Sequence, residues 1–122
     1  MKAKFDCVFY YVSDLERSVR FYRDVLGVEV SSRDFVARFH LDGVLFEIVP
    51  TTEATKLQGS GNARLCLEVA DMTAALRDLE EKDISTQAAH PETGGLLASF
   101  FDPDGNEICL WQPTDPARRR VE

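Results

Sequence analysis

Residues 5–12 run through Phe5, Val8, Phe9, Tyr10, Tyr11 and Val12, an aromatic and β-branched stretch that predicts a strand. The period then changes. Leu15, Val19, Tyr22 and Leu26 are spaced as one face of a helix. Ser13 and Glu16 have capping-box spacing, and Gly27 suits a left-handed helix end. Together these signals predict a helix over residues 14–25. Strands are predicted over residues 28–32, 35–41 and 44–49, with Asp42-Gly43 as a hairpin turn between the last two.

The pattern restarts after a Gly/Ser-containing linker at residues 58–62. Residues 63–69 read as a strand with Leu65, Leu67 and Val69 on one face. Asp71 opens a helix carrying Met72, Leu76 and Leu79. A short strand over 85–89, a loop over 91–95, and strands over 96–101 and 107–111 follow. Asp102-Pro103-Asp104-Gly105-Asn106 supplies a tight turn before the last strand. Val12, Asp14 and Arg20 recur as Val69, Asp71 and Arg77 at a constant offset. The order strand, helix, three strands thus occurs twice. We expect a first module at residues 1–57 and a linker with a second module at 58–122, together one domain.

Composition narrows the possibilities. A chain of 122 residues with 44% hydrophobic and 29% charged positions is a globular one. Its formal net charge is −7. Such a surface repels phosphates, so nucleic acid is not the expected partner. No run approaches the roughly 20 apolar residues of a membrane span, and no membrane partner is expected. Cys7, Cys66 and Cys109 are widely separated and odd in number, which fits a reducing cytoplasm better than a disulfide framework. The Arg118-Arg119-Arg120 run reads as a solvated tail.

Two segments carry a family resemblance. One runs from Val12-Ser13-Asp14-Leu15 to Phe21-Tyr22-Arg23-Asp24-Val25-Leu26-Gly27. The other is Asp102-Pro103-Asp104-Gly105-Asn106 followed by Glu107-Ile108-Cys109-Leu110-Trp111. In this order they resemble the vicinal oxygen chelate superfamily, which includes glyoxalase I, extradiol dioxygenases, and the fosfomycin- and bleomycin-resistance proteins. The resemblance implies an α+β fold of two βαβββ modules whose mixed sheets form an open cup, and frequent homodimers.

It also implies four metal-ligand positions. In this sequence they fall on Cys7, Glu47, Arg64 and Cys109. Arginine offers only N–H donors and a fixed positive charge, so the usual divalent set is incomplete. We therefore expect no metal and no other cofactor. By strand parity, Cys7, Phe9 and Tyr11 share a face, which the resemblance turns toward the cup. Glu47, Arg64, Glu68, Cys109 and Trp111 join them as candidate ligand-binding residues. Arg64 would pair with Glu47 or with a ligand anion. Glu47 is the candidate catalytic residue, as a carboxylate between Phe46 and Ile48, whose apolar side chains suggest that the opposite face is buried. His90, before Pro91, lies in a segment that in the family can form a lip over the cup, and joins the ligand-binding candidates. His40 faces either the cup or solvent. Gly94-Gly95 lacks the strand–helix context of a phosphate loop, and Asp102, Asp104 and Asn106 lack the length of a calcium loop.

These features point first to a binding protein for an aromatic or cationic small molecule. The alternative is a lyase, isomerase or dioxygenase-like enzyme that uses Glu47 as a base or an altered metal set of Cys7, Glu47 and Cys109. A third reading is a subunit that completes its cup only with a different partner chain.

Overall fold

Alternation governs the first sheet. In β1 (Val8–Val12), Tyr10 and Val12 are buried while Val8 and Phe9 are exposed. β3 (Ala37–Leu41) buries Ala37 and Phe39, and β4 (Val44–Pro50) buries Phe46 and Ile48. The register brings these positions together, because Val8 pairs with Phe46, Tyr10 with Ile48 and Phe39 with Phe46. With β2 (Val30–Arg33) on the far edge, the strand order is β1-β4-β3-β2; β1 runs parallel to β4 and the other pairs are antiparallel. The computed structural model describes residues 1–115, so the Arg118-Arg119-Arg120 run lies outside the described residues.

The helix that covers this sheet is α1 (Leu15–Arg20), continued by a π-helical turn over Phe21–Val25. Buried Val19, Phe21 and Tyr22 face the apolar side of the sheet. Tyr22 contacts Phe46 at 5.2 Å and Phe39 at 5.9 Å between ring centroids. Full burial of one such side chain is worth about 1.5–3 kcal/mol, so this aromatic cluster is the main core of the module. Gly27, at φ +70°, ends the helix, and Val28 N–H donates back across it to the Tyr22 carbonyl.

The second module repeats the plan. β5 (Leu65–Glu68), α2 (Met72–Glu81), β6 (His90–Glu92), β7 (Gly95–Phe101) and β8 (Glu107–Pro113) give the strand order β5-β8-β7-β6, again with one parallel pair at β5 and β8. Met72 and Leu79 of α2 are buried, as are Ala98, Phe100, Ile108 and Leu110. The two helices even begin alike. Asp14 and Asp71 are N-caps with φ/ψ of −136°/104° and −138°/102°, and each carboxylate accepts from the N–H three residues on. By backbone contacts the chain divides into two units, Met1–Ser60 with Asp102–Asn106, and Gly61–Phe101 with the remainder.

Some local expectations change. Strand pairing starts at Val8, so Phe5, Asp6 and Cys7 precede β1. Ser13 is not the cap; its N–H and hydroxyl both donate to Asp104, at 3.1 and 2.7 Å, leaving Asp14 to cap. β3 starts at Ala37 because Asp34 turns the chain: its N–H donates to the Val36 carbonyl and its carboxylate accepts from Val36 N–H. No strand forms over 85–89; it forms at His90–Glu92 instead. Pro91 lacks an N–H but is tolerated there because β6 is an edge strand. Asp42 and Gly43 both have positive φ, 50° and 83°, as a two-residue hairpin of the primed type requires.

The Asp102–Asn106 turn is a buried hydrogen-bond centre. One Asp102 oxygen accepts from the N–H groups of Asp104 and Asn106, both at 2.9 Å. The other accepts from the Tyr22 hydroxyl at 2.8 Å and the Asn106 side-chain amide at 2.9 Å. Asn106 also donates to the Tyr11 carbonyl. Burial, then the Asp102 charge, pushes the Tyr22 phenol far above its ordinary pKa.

Candidate functional site

The polar face of the first sheet is set by the same register that builds the core. Phe9 and Arg38 are the cross-strand neighbours of Glu47 on its two sides. Tyr11 lies beside Val49, and His40 beside Leu45. Glu47 is held from two directions. The Cys7 thiol donates to Oε1 at 3.2 Å, and Arg38 Nε donates to Oε2 at 3.0 Å. Arg38 in turn reaches Asp34 at 3.2 Å and the Ser32 hydroxyl at 3.3 Å through a terminal nitrogen. Burial, reinforced by the Glu47 hydrogen bond and charge, pushes the Cys7 thiol up to about 11. Cys7 is therefore a protonated donor at neutral pH. Next to this polar pair, Phe9 is 46% exposed and meets Tyr11 edge-on at 5.2 Å. The Lys56 ammonium sits 5.1 Å from the Tyr11 ring centre, a cation–π distance.

The second sheet has a corresponding face. Cys66 pairs with Cys109, and Glu68 with Trp111. On the other side of β8, Ser99 neighbours Cys109 and Leu97 neighbours Trp111; His90 neighbours Leu97. Arg64 Nε bridges Glu107 at 2.9 Å, and a terminal nitrogen donates to the Asn62 carbonyl. Within the first module, Arg38 compensates the charge of Glu47. His90 Nδ1 lies 3.1 Å from Glu92, with both side chains about half exposed. Cys109 and Trp111 are only 6% and 9% exposed. The Trp111 ring lies against the Gly94-Gly95 corner, where a Cβ on Gly95 would come within 2.7 Å of it.

The candidates thus divide between two faces. Cys7, Phe9, Tyr11 and Glu47 share the first. Arg64, Glu68, His90, Cys109 and Trp111 share the second. Arg38 is the residue that the sequence reading missed. Its signal was present, since Ala-Arg-Phe-His-Leu alternates apolar with polar and puts Arg38 and His40 opposite the core. No comparable pattern announces Lys56 over Tyr11.

Donor chemistry decides whether a divalent metal fits the four implied positions. In the first module the two oxygens of Glu47 are already met by the Cys7 thiol and the Arg38 guanidinium, a cation beside the implied position. In the second, Arg64 is a cation with no lone pair to offer. These residues do not fit a divalent ion. Among the described residues, no group of three His, Cys, Asp or Glu side chains is arranged to hold a metal.

A tandem pair of βαβββ modules, each with an open four-stranded mixed sheet and one polar–aromatic face, defines the class of protein. The family model for the Glyoxalase/Bleomycin resistance protein/Dioxygenase superfamily matches residues 4–110, and the chain belongs to that superfamily. A curated relative, "Uncharacterized protein YwkD" of Bacillus subtilis (strain 168), is 29% identical over 114 residues, covering 82% of this chain and 89% of its own. Among solved structures, the antibiotic binding protein TnmS3 from Streptomyces sp. CB03234 is 23% identical with a TM-score of 0.74, covering 93% of this chain and 100% of its own. Lactoylglutathione lyase from Agrobacterium tumefaciens is 17% identical with a TM-score of 0.72, covering 91% and 94%. These likenesses are of fold, and one fold carries both a binder and an enzyme. Among the described residues no helix is long and apolar enough to cross a membrane.

Proposed function

We propose that this superfamily member is a metal-independent small-molecule-binding protein for flat aromatic or cationic compounds. The observation that carries the reading is the state of Glu47, whose two oxygens are each taken by a donor, Cys7 and Arg38. A carboxylate so engaged orients its surroundings and is poorly placed to abstract a proton. Beside it, the exposed Phe9 ring and Tyr11 offer a stacking platform. The net charge of −7 favours the approach of cations. Glu68, His90, Arg64 and Trp111 are the polar and aromatic groups of the second face, together with buried Cys109. The antibiotic binding by TnmS3 is an analogy for the class of ligand. We further propose a homodimer in the cytoplasm, with residues 1–57 and 58–122 as the two modules of one domain.

Thermal unfolding with a panel of planar aromatic and cationic compounds, with and without EDTA, tests the reading. A ligand at a hundredfold excess over its Kd stabilises the native state by about 2.7 kcal/mol, and this gain should survive chelation. Stabilisation that requires an added divalent metal would overturn the proposal. The enzyme alternative has its own signature. Glu47→Gln would abolish a turnover while leaving ligand stabilisation in place.

A further inference from the structure

The second sheet places two thiols side by side. Cys66 on β5 and Cys109 on β8 are register partners in a parallel pair, so their side chains leave the same face of the sheet. Partners in adjacent strands stand about 4.8 Å apart between Cα atoms, inside the roughly 4.4–6.8 Å span that a disulfide bridges. None of the three cysteines is in a disulfide; Cys66 is exposed and Cys109 is buried beside it. Burial raises the Cys109 thiol pKa, as do the negative charges of a Cys66 thiolate and of Glu107, and the Arg64 guanidinium opposes them. Cys7 offers no such partner, since its thiol is committed to Glu47.

We propose that Cys66 and Cys109 form a redox-active dithiol that is oxidised to an intramolecular disulfide by a low-molecular-weight disulfide of the glutathione type. Cys66 loses its proton to solvent and its sulfur attacks one sulfur of the reagent. The reagent's S–S bond breaks, one thiol leaves with a proton, and a mixed disulfide remains on Cys66. Cys109 then gives up its proton and attacks the Cys66 sulfur, and the second reagent thiol leaves. Two protein thiols are oxidised by two electrons, and one small disulfide is reduced to two thiols. Exposure makes Cys66 the entry point. Proximity makes Cys109 the resolving thiol, since its burial disfavours direct attack on a reagent in solution.

The test is incubation of the full chain with oxidised glutathione, followed by non-reducing digestion and mass mapping. The expected product is a peptide pair linked through Cys66 and Cys109, with no retained glutathione, Cys7 still a thiol, and full reversal by reduced glutathione. Cys109→Ser should trap a persistent mixed disulfide on Cys66. Cys66→Ser should lose both the linkage and glutathione uptake. This exposed-site variant keeps the test decisive if Cys109→Ser fails to fold. A lasting Cys66 mixed disulfide in the unsubstituted protein, a link to Cys7 or a bond between chains would each overturn the proposal.

Discussion

Tyr22→Phe removes one hydroxyl from the interior and nothing else. Tyr22 is 0% exposed, and its hydroxyl donates to Asp102 Oδ2 at 2.8 Å. Asp102 is itself only 5% exposed. A hydrogen bond to a charged group contributes about 1.5–3 kcal/mol. The carboxylate keeps its other three donors in the variant, from Asp104, Asn106 N–H and the Asn106 amide. We therefore expect a loss near the lower end, about 1.5–2 kcal/mol. Asp102→Ala is harsher, because it strands the Tyr22 hydroxyl and the donors of Asn106 in buried positions. At about 1–3 kcal/mol per unmet buried group, it should cost at least ~3 kcal/mol. Urea unfolding measures both, and an unchanged denaturant slope in Tyr22→Phe would show that only stability moved. A double-mutant cycle adds a sharper check. Tyr22→Phe should cost far less in the Asp102→Ala background, since the bond is already gone. The reasoning fails if Tyr22→Phe changes stability by less than about 0.5 kcal/mol, the scatter of ordinary surface substitutions.

Four further expectations rest on other parts of the structure. With its pKa raised from 9.0 to about 11, Cys7 should alkylate slowly at pH 8, and Glu47→Gln should speed its reaction up to roughly tenfold by removing the Glu47 charge while leaving the burial. Because the folded-state pKa lies above the unfolded value, the Cys7 contribution to stability is present below about pH 9 and is lost as the pH rises toward about 11, which alkaline unfolding curves of the parent and Cys7→Ala would reveal. Asp14→Ala and Asp71→Ala should each cost about 1 kcal/mol in thermal unfolding through loss of an N-cap, with equal costs expected from their matching geometry. Gly95→Ala would place a Cβ 2.3 Å from the Gln112 carbonyl oxygen and 2.7 Å from Trp111, so it should destabilise by more than about 1 kcal/mol and shift the fluorescence of the chain's one tryptophan; an unchanged spectrum would count against the corner packing.

Sequence alone determined the α+β class, the twofold βαβββ order and the turns at Asp42-Gly43 and Asp102–Asn106. These follow from local rules: side-chain period, glycine's freedom at positive φ, and, for the second helix, the Asp71 carboxylate that starts it. The same parity put Cys7, Phe9 and Tyr11 on one face, and the family resemblance added Glu47 to it. It erred where a distant partner outcompetes a local signal. Ser13 has the spacing of a cap, but Asp104, far along the chain, takes both its hydrogen-bond donors. The strand expected over 85–89 forms at His90–Glu92, because the register against β7 decides which residues pair. Only the tertiary structure decided the charges. Arg38 neutralises Glu47 in the first module and Glu107 bridges Arg64 in the second, since salt-bridge partners are chosen by strand order across a sheet and not by spacing along a chain.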